Sequence, residues 1–392
     1  MRASSRGMPA LLGFLTAIGP LSTDMYLPSF PSIEATYHAP SGTAQITLAA
    51  WFAGLAVGQI TQGSLADRYG RRAPLIVGLA IFTLASIGCA LAPSLAFLSV
   101  MRAIAAFGGS ASMVIPRAVV RDLADGHAAA RLMSQLMLVM GVAPILAPTM
   151  GGAVLSIGSW QAIFWFGSVY GGCSLLLVWR MLPETLEPQR RVKLGLAGLL
   201  MRYISVFKDR GFLVHASIGG LCMFGLFAYL GGSPPVFIGL FQLSPPVYGM
   251  LFGLCAGGYI LASQINPYIL HRVGAPRVLR IAVRIYLVAT IILAGFAFVG
   301  GYGLLSVFLP IWVSMFCMGF VTPNAAVGAL SGHAGHAGSA SALMGTMQFI
   351  LAAISGTLVG MLTDGTARPM AALMVLGAAS AVCADLWRSQ DR

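Results

Sequence analysis

Stretches of about 20 apolar residues, each long enough to cross a bilayer core of about 30 Å, follow one another along almost the whole 392-residue chain. Inside lipid every backbone N–H and C=O must find its partner within the protein, and for continuous runs of this length the solution is the α-helix. Charged residues make up only 9% of the chain and hydrophobic residues 58%, which excludes a water-soluble domain of this size. The fold class is therefore an all-α polytopic membrane protein.

Breaks at charge, Pro and Gly divide the chain into twelve candidate spans. They are 8–30, 44–65, 73–92, 95–118, 132–156 and 160–182, then 212–232, 246–269, 278–299, 303–325, 339–362 and 367–387. The longest polar stretch separates two sets of six. The expected organisation is an N-terminal six-helix bundle (1–182), a central cytoplasmic linker (183–211) and a C-terminal six-helix bundle (212–392).

The basic residues orient this array. Arg68, Arg71 and Arg72 follow the second span, Arg117, Arg121 and Arg131 surround the turn after the fourth, and Arg190, Arg191, Lys193, Arg202, Lys208 and Arg210 follow the sixth. Arg272, Arg277, Arg280 and Arg284 follow the eighth, whereas the opposite loops hold only Arg368. The positive-inside rule puts both termini in the cytoplasm. The net charge of +12 is thus topology, helped by anionic membrane lipid, and it gives no reason to expect nucleic acid.

No metal or cofactor is expected. The six cysteines fall inside apolar segments without a CxxC pair and read as buried, inert thiols. His333 and His336 in "GHAGHAG" are three apart but lack a third ligand. No phosphate-binding loop is present, so ATP as the energy source is not supported. The first apolar run has no A-x-A-like cleavage site and is expected to be retained.

The halves echo each other. "GSLADRYGRRAPL" after the second span has a degraded partner, "YILHRVGAPRVL", after the eighth, and "MYLPSF" in the first span matches "GSPPVF" in the seventh. Two parallel six-span repeats are an arrangement of major facilitator transporters. In the first motif Gly63 permits close helix approach, Asp67 and Arg68 sit at a helix end, Gly70 supplies a turn, and Arg71 and Arg72 anchor the chain. The set resembles the signature between helices 2 and 3 of the major facilitator superfamily, where it implies a latch on the cytoplasmic gate.

Among the charges within spans, two single themselves out. Arg102 in the fourth either faces a cavity or snorkels toward a helix end; its position matches that family's helix-4 arginine, which implies proton coupling. Asp24 lies four residues before Pro28, which cannot donate to the Asp24 carbonyl. A carboxylate at such a break either caps nearby backbone or changes its proton affinity as an arginine approaches and departs.

In the fifth span Gly141, Pro144, Pro148, Gly151 and Gly152 allow kinking and tight packing. The segment resembles the family's antiporter motif, although Ala147 stands before Pro148 where the usual core is Gly-Pro. Together with "TDMYLPSFPSI", "PRAVVRDL", "GSWQAIFWF" and "GSASALMGTMQF", the chain is similar to the Bcr/CflA branch of drug:proton antiporters.

The resemblance implies proton-coupled efflux of small drugs or metabolites across the bacterial inner membrane by alternating access, by a monomer. Asp24 would carry the proton and Arg102 would modulate it. Candidate substrate-binding residues, chosen by helix position and chemistry, are Tyr26, Trp51, Gln135, Phe224, Phe227, Tyr229, Asn324 and Gln348. The aromatic residues of the seventh span face either a cavity or lipid. The alternatives on the same fold are a proton-coupled uptake symporter or facilitator, and an exporter of a single natural metabolite. An integral-membrane enzyme would need a clustered nucleophile, metal site or phosphate loop, and the sequence offers none. A transport-dead sensor would bind without turnover.

Overall fold

The computed structural model describes residues 7–124, 126–191, 196–300, 303–333 and 337–389; they form helices with short connections and no strand. The first span is a broken helix. It comprises α1 (Met8–Thr16), α2 (Ile18–Asp24), a 3-10 turn at Leu27–Ser29 and α3 (Phe30–Thr36). Then come α4 (Gln45–Tyr69), α5 (Arg72–Ala90), α6 (Leu95–Leu123), α7 (Gly126–Ile157) and α8 (Gln161–Met181). After α9 (Leu196–Lys208) the second series runs α10 (Arg210–Pro234), α11 (Pro245–Val273), α12 (Ala275–Val299), α13 (Leu304–Leu330), α14 (Ala337–Leu362) and α15 (Arg368–Ser389).

Eleven of these stretches are long and apolar enough to cross a membrane, and the chain is a multi-pass membrane protein. The helix α4 falls outside that set, although the sequence marks 44–65 as a span. Its polar residues dilute its hydropathy, and the amide nitrogens of two of them bond to neighbouring helices. Gln45 Nε2 donates to the Gly231 carbonyl at 3.1 Å, and Gln62 Nε2 to the Phe107 carbonyl at 3.4 Å.

Local chemistry sets the helix ends. Gly70, at φ +95°, ends α4, and Ser94 caps α6 by accepting from Phe97 N at 3.2 Å. Asp209 caps α10 by accepting from Phe212 N at 2.6 Å. The α10 helix runs into a π-helical turn, Pro235–Leu240, which packs against α3. The two proline breaks of the repeat thus lie on neighbouring segments.

The linker segment contains the amphipathic α9, whose Val206 is buried against the start of α10. Two expectations need correction. The first span continues to Thr36 rather than ending near residue 30. Cys173 and Cys383 are exposed, while Cys89, Cys222, Cys255 and Cys317 are buried as expected. His336 lies outside the described residues.

Within the first series α6 packs on α4 and α5, and α5 on α8; within the second, α10 packs on α13 and α15, and α12 on the same two. The series meet along α4–α14 and α7–α11. These contacts are closest at the end away from the arginine-rich loops, where a Cβ on Gly152 would stand 2.6 Å from the Pro245 carbonyl oxygen. At the same end a Cβ on Gly360 would stand 2.7 Å from the Gly42 carbonyl oxygen. At the basic end a cavity of about 410 Å³ opens between α4, α6, α9 and α14. One end is closed by backbone contact and the other is open.

Candidate functional site

Asp24 is the last residue of α2, and the chain tightens into the 3-10 turn just beyond it. Ser29 fixes that turn, its N–H donating to the Tyr26 carbonyl at 2.9 Å and its hydroxyl at 2.5 Å. Tyr26 is held to α4 by a 2.8 Å hydroxyl contact with Thr47. Asp24 is 6% exposed, and no cation pairs with it among the described residues. Its carboxylate is within electrostatic reach of the Tyr229 and Tyr248 phenols of the second series.

Arg102, 2% exposed, lies deep in α6, which sets aside snorkelling. Its Nη1 donates to the Ser22 carbonyl at 2.9 Å. The guanidinium carbon stands 4.0 Å from the Tyr26 ring centre and 4.3 Å from that of Trp51, distances at which a ring face attracts a cation. Nε and Nη2 are buried without a partner and border a small cavity of about 30 Å³ shared with Ser86 and Cys89. Arg102 and Asp24 do not form an ion pair among the described residues. The arginine grips the backbone next to the carboxylate, not the carboxylate itself.

The other candidates disperse. Tyr26 and Trp51 form the cage of Arg102 and are buried. Phe227 meets Phe52 across the two series with ring centres 4.3 Å apart, and Tyr229 stacks on Phe252 at 5.6 Å. Phe224, Phe227 and Tyr229 are all buried, so they are not lipid-facing filler. Asn324 Nδ2 donates to Asn266 Oδ1 at 2.8 Å and to the Phe320 carbonyl at 2.8 Å, so both of its amide hydrogens are engaged inside the second series. Gln348 is half-buried, and Gln135 is exposed.

The "GSLADRYGRR" segment builds an ion network at the basic end. Arg71 Nη1 contacts Asp67 at 2.5 Å and Arg71 Nε contacts Asp122 at 2.9 Å. Glu184 accepts from the Arg71 and Arg72 backbone N–H groups at 2.8 and 3.3 Å, placing a carboxylate at the N-terminus of α5. Arg72 Nη2 donates to the Trp179 carbonyl at 2.6 Å. Burial works to raise the Glu184 pKa, but the backbone donors of Leu186, Arg71, Arg72 and Thr185 outweigh it and hold the carboxyl below its usual range. Gly63 has Val114 as its nearest neighbour, whereas Arg68 stacks over the Tyr69 ring at 5.4 Å.

Pro144 and Pro148 lie within a continuous α7. Gly141 faces Ile260 of α11, Gly151 lies against the Met25 carbonyl and Gly152 against that of Pro245. This segment is therefore a seam joining the first-span break to α11.

Sequence reasoning missed Asp122, Glu184, Tyr248, Asn266 and the Ser22 carbonyl. Asp122 stands inside "PRAVVRDL", where a carboxylate beside arginines was a usable signal. Asn266 was legible only as a lone amide in an apolar run, and the carbonyl left no signal.

A family model described as Major Facilitator Superfamily matches residues 12–357. An uncharacterized MFS-type transporter, YdgK of Bacillus subtilis, is 35% identical over 94% of this chain and 92% of its own length. A bicyclomycin resistance protein homolog of Haemophilus influenzae is 29% identical, over 94% and 92% respectively. Among solved structures, a bacterial homolog of the human lysosomal transporter Spinster, inward-facing and unoccupied, superposes with a TM-score of 0.76 at 15% identity, covering 100% of this chain and 99% of that one.

Proposed function

The chain belongs to the Major Facilitator Superfamily, a family of transporters rather than enzymes, and from that premise we propose that it is a proton-driven exporter of small drugs or metabolites. It works by alternating access in the bacterial inner membrane, as a monomer with cytoplasmic termini and no cofactor. The relative from Haemophilus influenzae, named for bicyclomycin resistance, supports a drug-like substrate.

The observation that carries the reading is the state of two buried carboxylates. Among the described residues, Asp24 and Asp385 are both buried. Asp385 is held by Arg388 at 2.5 Å and Arg280 at 3.5 Å, and is committed to structure. Asp24 has no such partner, sits at a helix break, and lies within electrostatic reach of the Tyr229 and Tyr248 phenols of the opposite series. A carboxylate so placed has different surroundings in each conformation of the two halves, so it takes up and releases a proton as they move. Arg102, fixed on the Ser22 carbonyl, carries the state of α6 to the same segment. In this reading the closed end is periplasmic and the open basic end cytoplasmic, and substrate binds between the halves.

The test is proton release from purified, detergent-solubilised protein on adding bicyclomycin or chloramphenicol, with Asp24→Asn and Arg102→Ala alongside wild type. Release that disappears in Asp24→Asn supports competition between drug and proton at this carboxylate. Undiminished release in that variant refutes the assignment. Transport in vesicles under an imposed pH gradient then separates export from uptake by its direction.

A further inference from the structure

The cavity of about 410 Å³ at the basic end has walls that its own chain does not neutralise. Arg117, Arg121 and Arg202 all line it, with Tyr203 and Asp67. Asp67 is taken up by Arg71. Arg117 is the telling residue: its Nη2 reaches only the Met140 sulfur, at 3.3 Å, and its Nε is buried with no partner. Arg121, one turn further along α6, repels it. None of the three pairs with a carboxylate among the described residues. A buried guanidinium nitrogen with an unmade hydrogen bond is costly, and the exposed Arg121 adds a like charge beside it.

We propose that this cavity is an anion-binding site, formed by Arg117 and Arg121 of α6 and Arg202 of α9, for a phosphate- or carboxylate-bearing ligand. A guanidinium presents donors in a planar fork that matches such oxyanions, and the volume falls in the range of small-molecule sites. The site joins a helix of the first series to the linker helix, beside the part of α4 that faces α14. The cavity is also lined by Gly338, Ser339, Ser341 and Ala342 of α14, so a bound anion lies where the halves face each other. This inference does not depend on proton coupling or on the exported substrate.

The experiment uses the full chain and has two arms. In detergent, thermal unfolding is followed against inorganic phosphate, with sodium chloride at matched ionic strength. In nanodiscs, phosphatidylcholine alone is compared with phosphatidylcholine containing phosphatidylglycerol. Arg117→Gln and Arg202→Gln are run in both arms, with Arg117→Lys as a charge-retaining variant should either fail to fold. Saturable stabilisation by phosphate beyond the chloride control is expected, with a half-saturating concentration raised about tenfold in each Gln variant, the loss of one charge-assisted bond. Stabilisation only by phosphatidylglycerol, weakened by the same variants, identifies a lipid headgroup as the source. Equal curves in phosphate and chloride together with equal curves in both lipids overturn the proposal. So does stabilisation that the variants leave unchanged.

Discussion

The guanidinium of Arg102 donates to the backbone carbonyl of Ser22 at 2.9 Å, two residues before the buried carboxylate of Asp24. A permanent charge in α6 is thereby attached to the main chain of α2. The tie is local, and Tyr26 and Trp51 shield it.

This arrangement separates stability from function at Arg102. Holding one charge out of water costs on the order of several kcal/mol, and Arg102 offsets it with one carbonyl bond and two ring faces. The Arg102→Met protein is therefore expected to melt at or above the wild-type temperature while losing at least about tenfold in proteoliposome transport. A fall of many degrees with transport retained would make the residue a structural anchor only.

At the closed end Gly152 lies against the Pro245 carbonyl, where a Cβ would stand 2.6 Å from the oxygen. Gly152→Val cannot keep that contact, so the closed arrangement of this end is expected to give way. A cysteine introduced by Gln45→Cys, whose native side chain bonds to Gly231, should then react with a membrane-impermeant maleimide. Labelling as slow as in the Gln45→Cys protein alone would count against the contact as a gate.

The ion network at the basic end should have an acid limit. The Glu184 pKa is depressed in the folded protein: burial opposes this, but donation from four backbone N–H groups prevails. A depressed pKa contributes stability above the unfolded value that is lost as pH falls through the folded value. The loss belongs below the ordinary glutamate range, and Glu184→Gln should flatten that limb of a melting-temperature profile. Gly70→Ala, forced to φ +95°, should cost about 1–2 kcal/mol from backbone strain alone. An unchanged melting temperature would show that this turn relaxes freely.

The buried Asn266–Asn324 pair offers a double-mutant cycle. Asn324→Ala leaves the Asn266 acceptor unmet, at about 1–3 kcal/mol, whereas Asn266→Leu with Asn324→Leu should cost far less than the sum of the two single changes. Additive losses in urea unfolding would mean that the pair is not coupled. If drug affinity falls in the double variant while stability holds, Asn324 contacts substrate despite its bond to Asn266.

Much of the fold was legible in the chain because a membrane leaves so few solutions. Apolar runs of bilayer length must be helices, and the placement of arginines gives them an expected orientation. The "GSLADRYGRR" motif marked where an ion network would form, though not that Asp122 and Glu184 complete it, since both are distant in sequence and meet Arg71 only after α6 and α8 pack. The helix α9 escaped notice because its charges made the segment read as linker, and the interhelical bonds of α4 escaped because hydropathy counts residues without regard to their partners.

The sequence by itself determined a multi-span helical protein of repeated halves, with a carboxylate and an arginine conspicuous inside apolar runs, because burying charge in lipid is costly. Only the tertiary structure decided what surrounds those charges. Asp24 and Arg102 look like a pair in one dimension, but in the fold the arginine binds the Ser22 carbonyl and the buried carboxylate has no cation paired with it among the described residues. Which end is closed was likewise decided in three dimensions, by where backbone meets backbone across the seam between the halves.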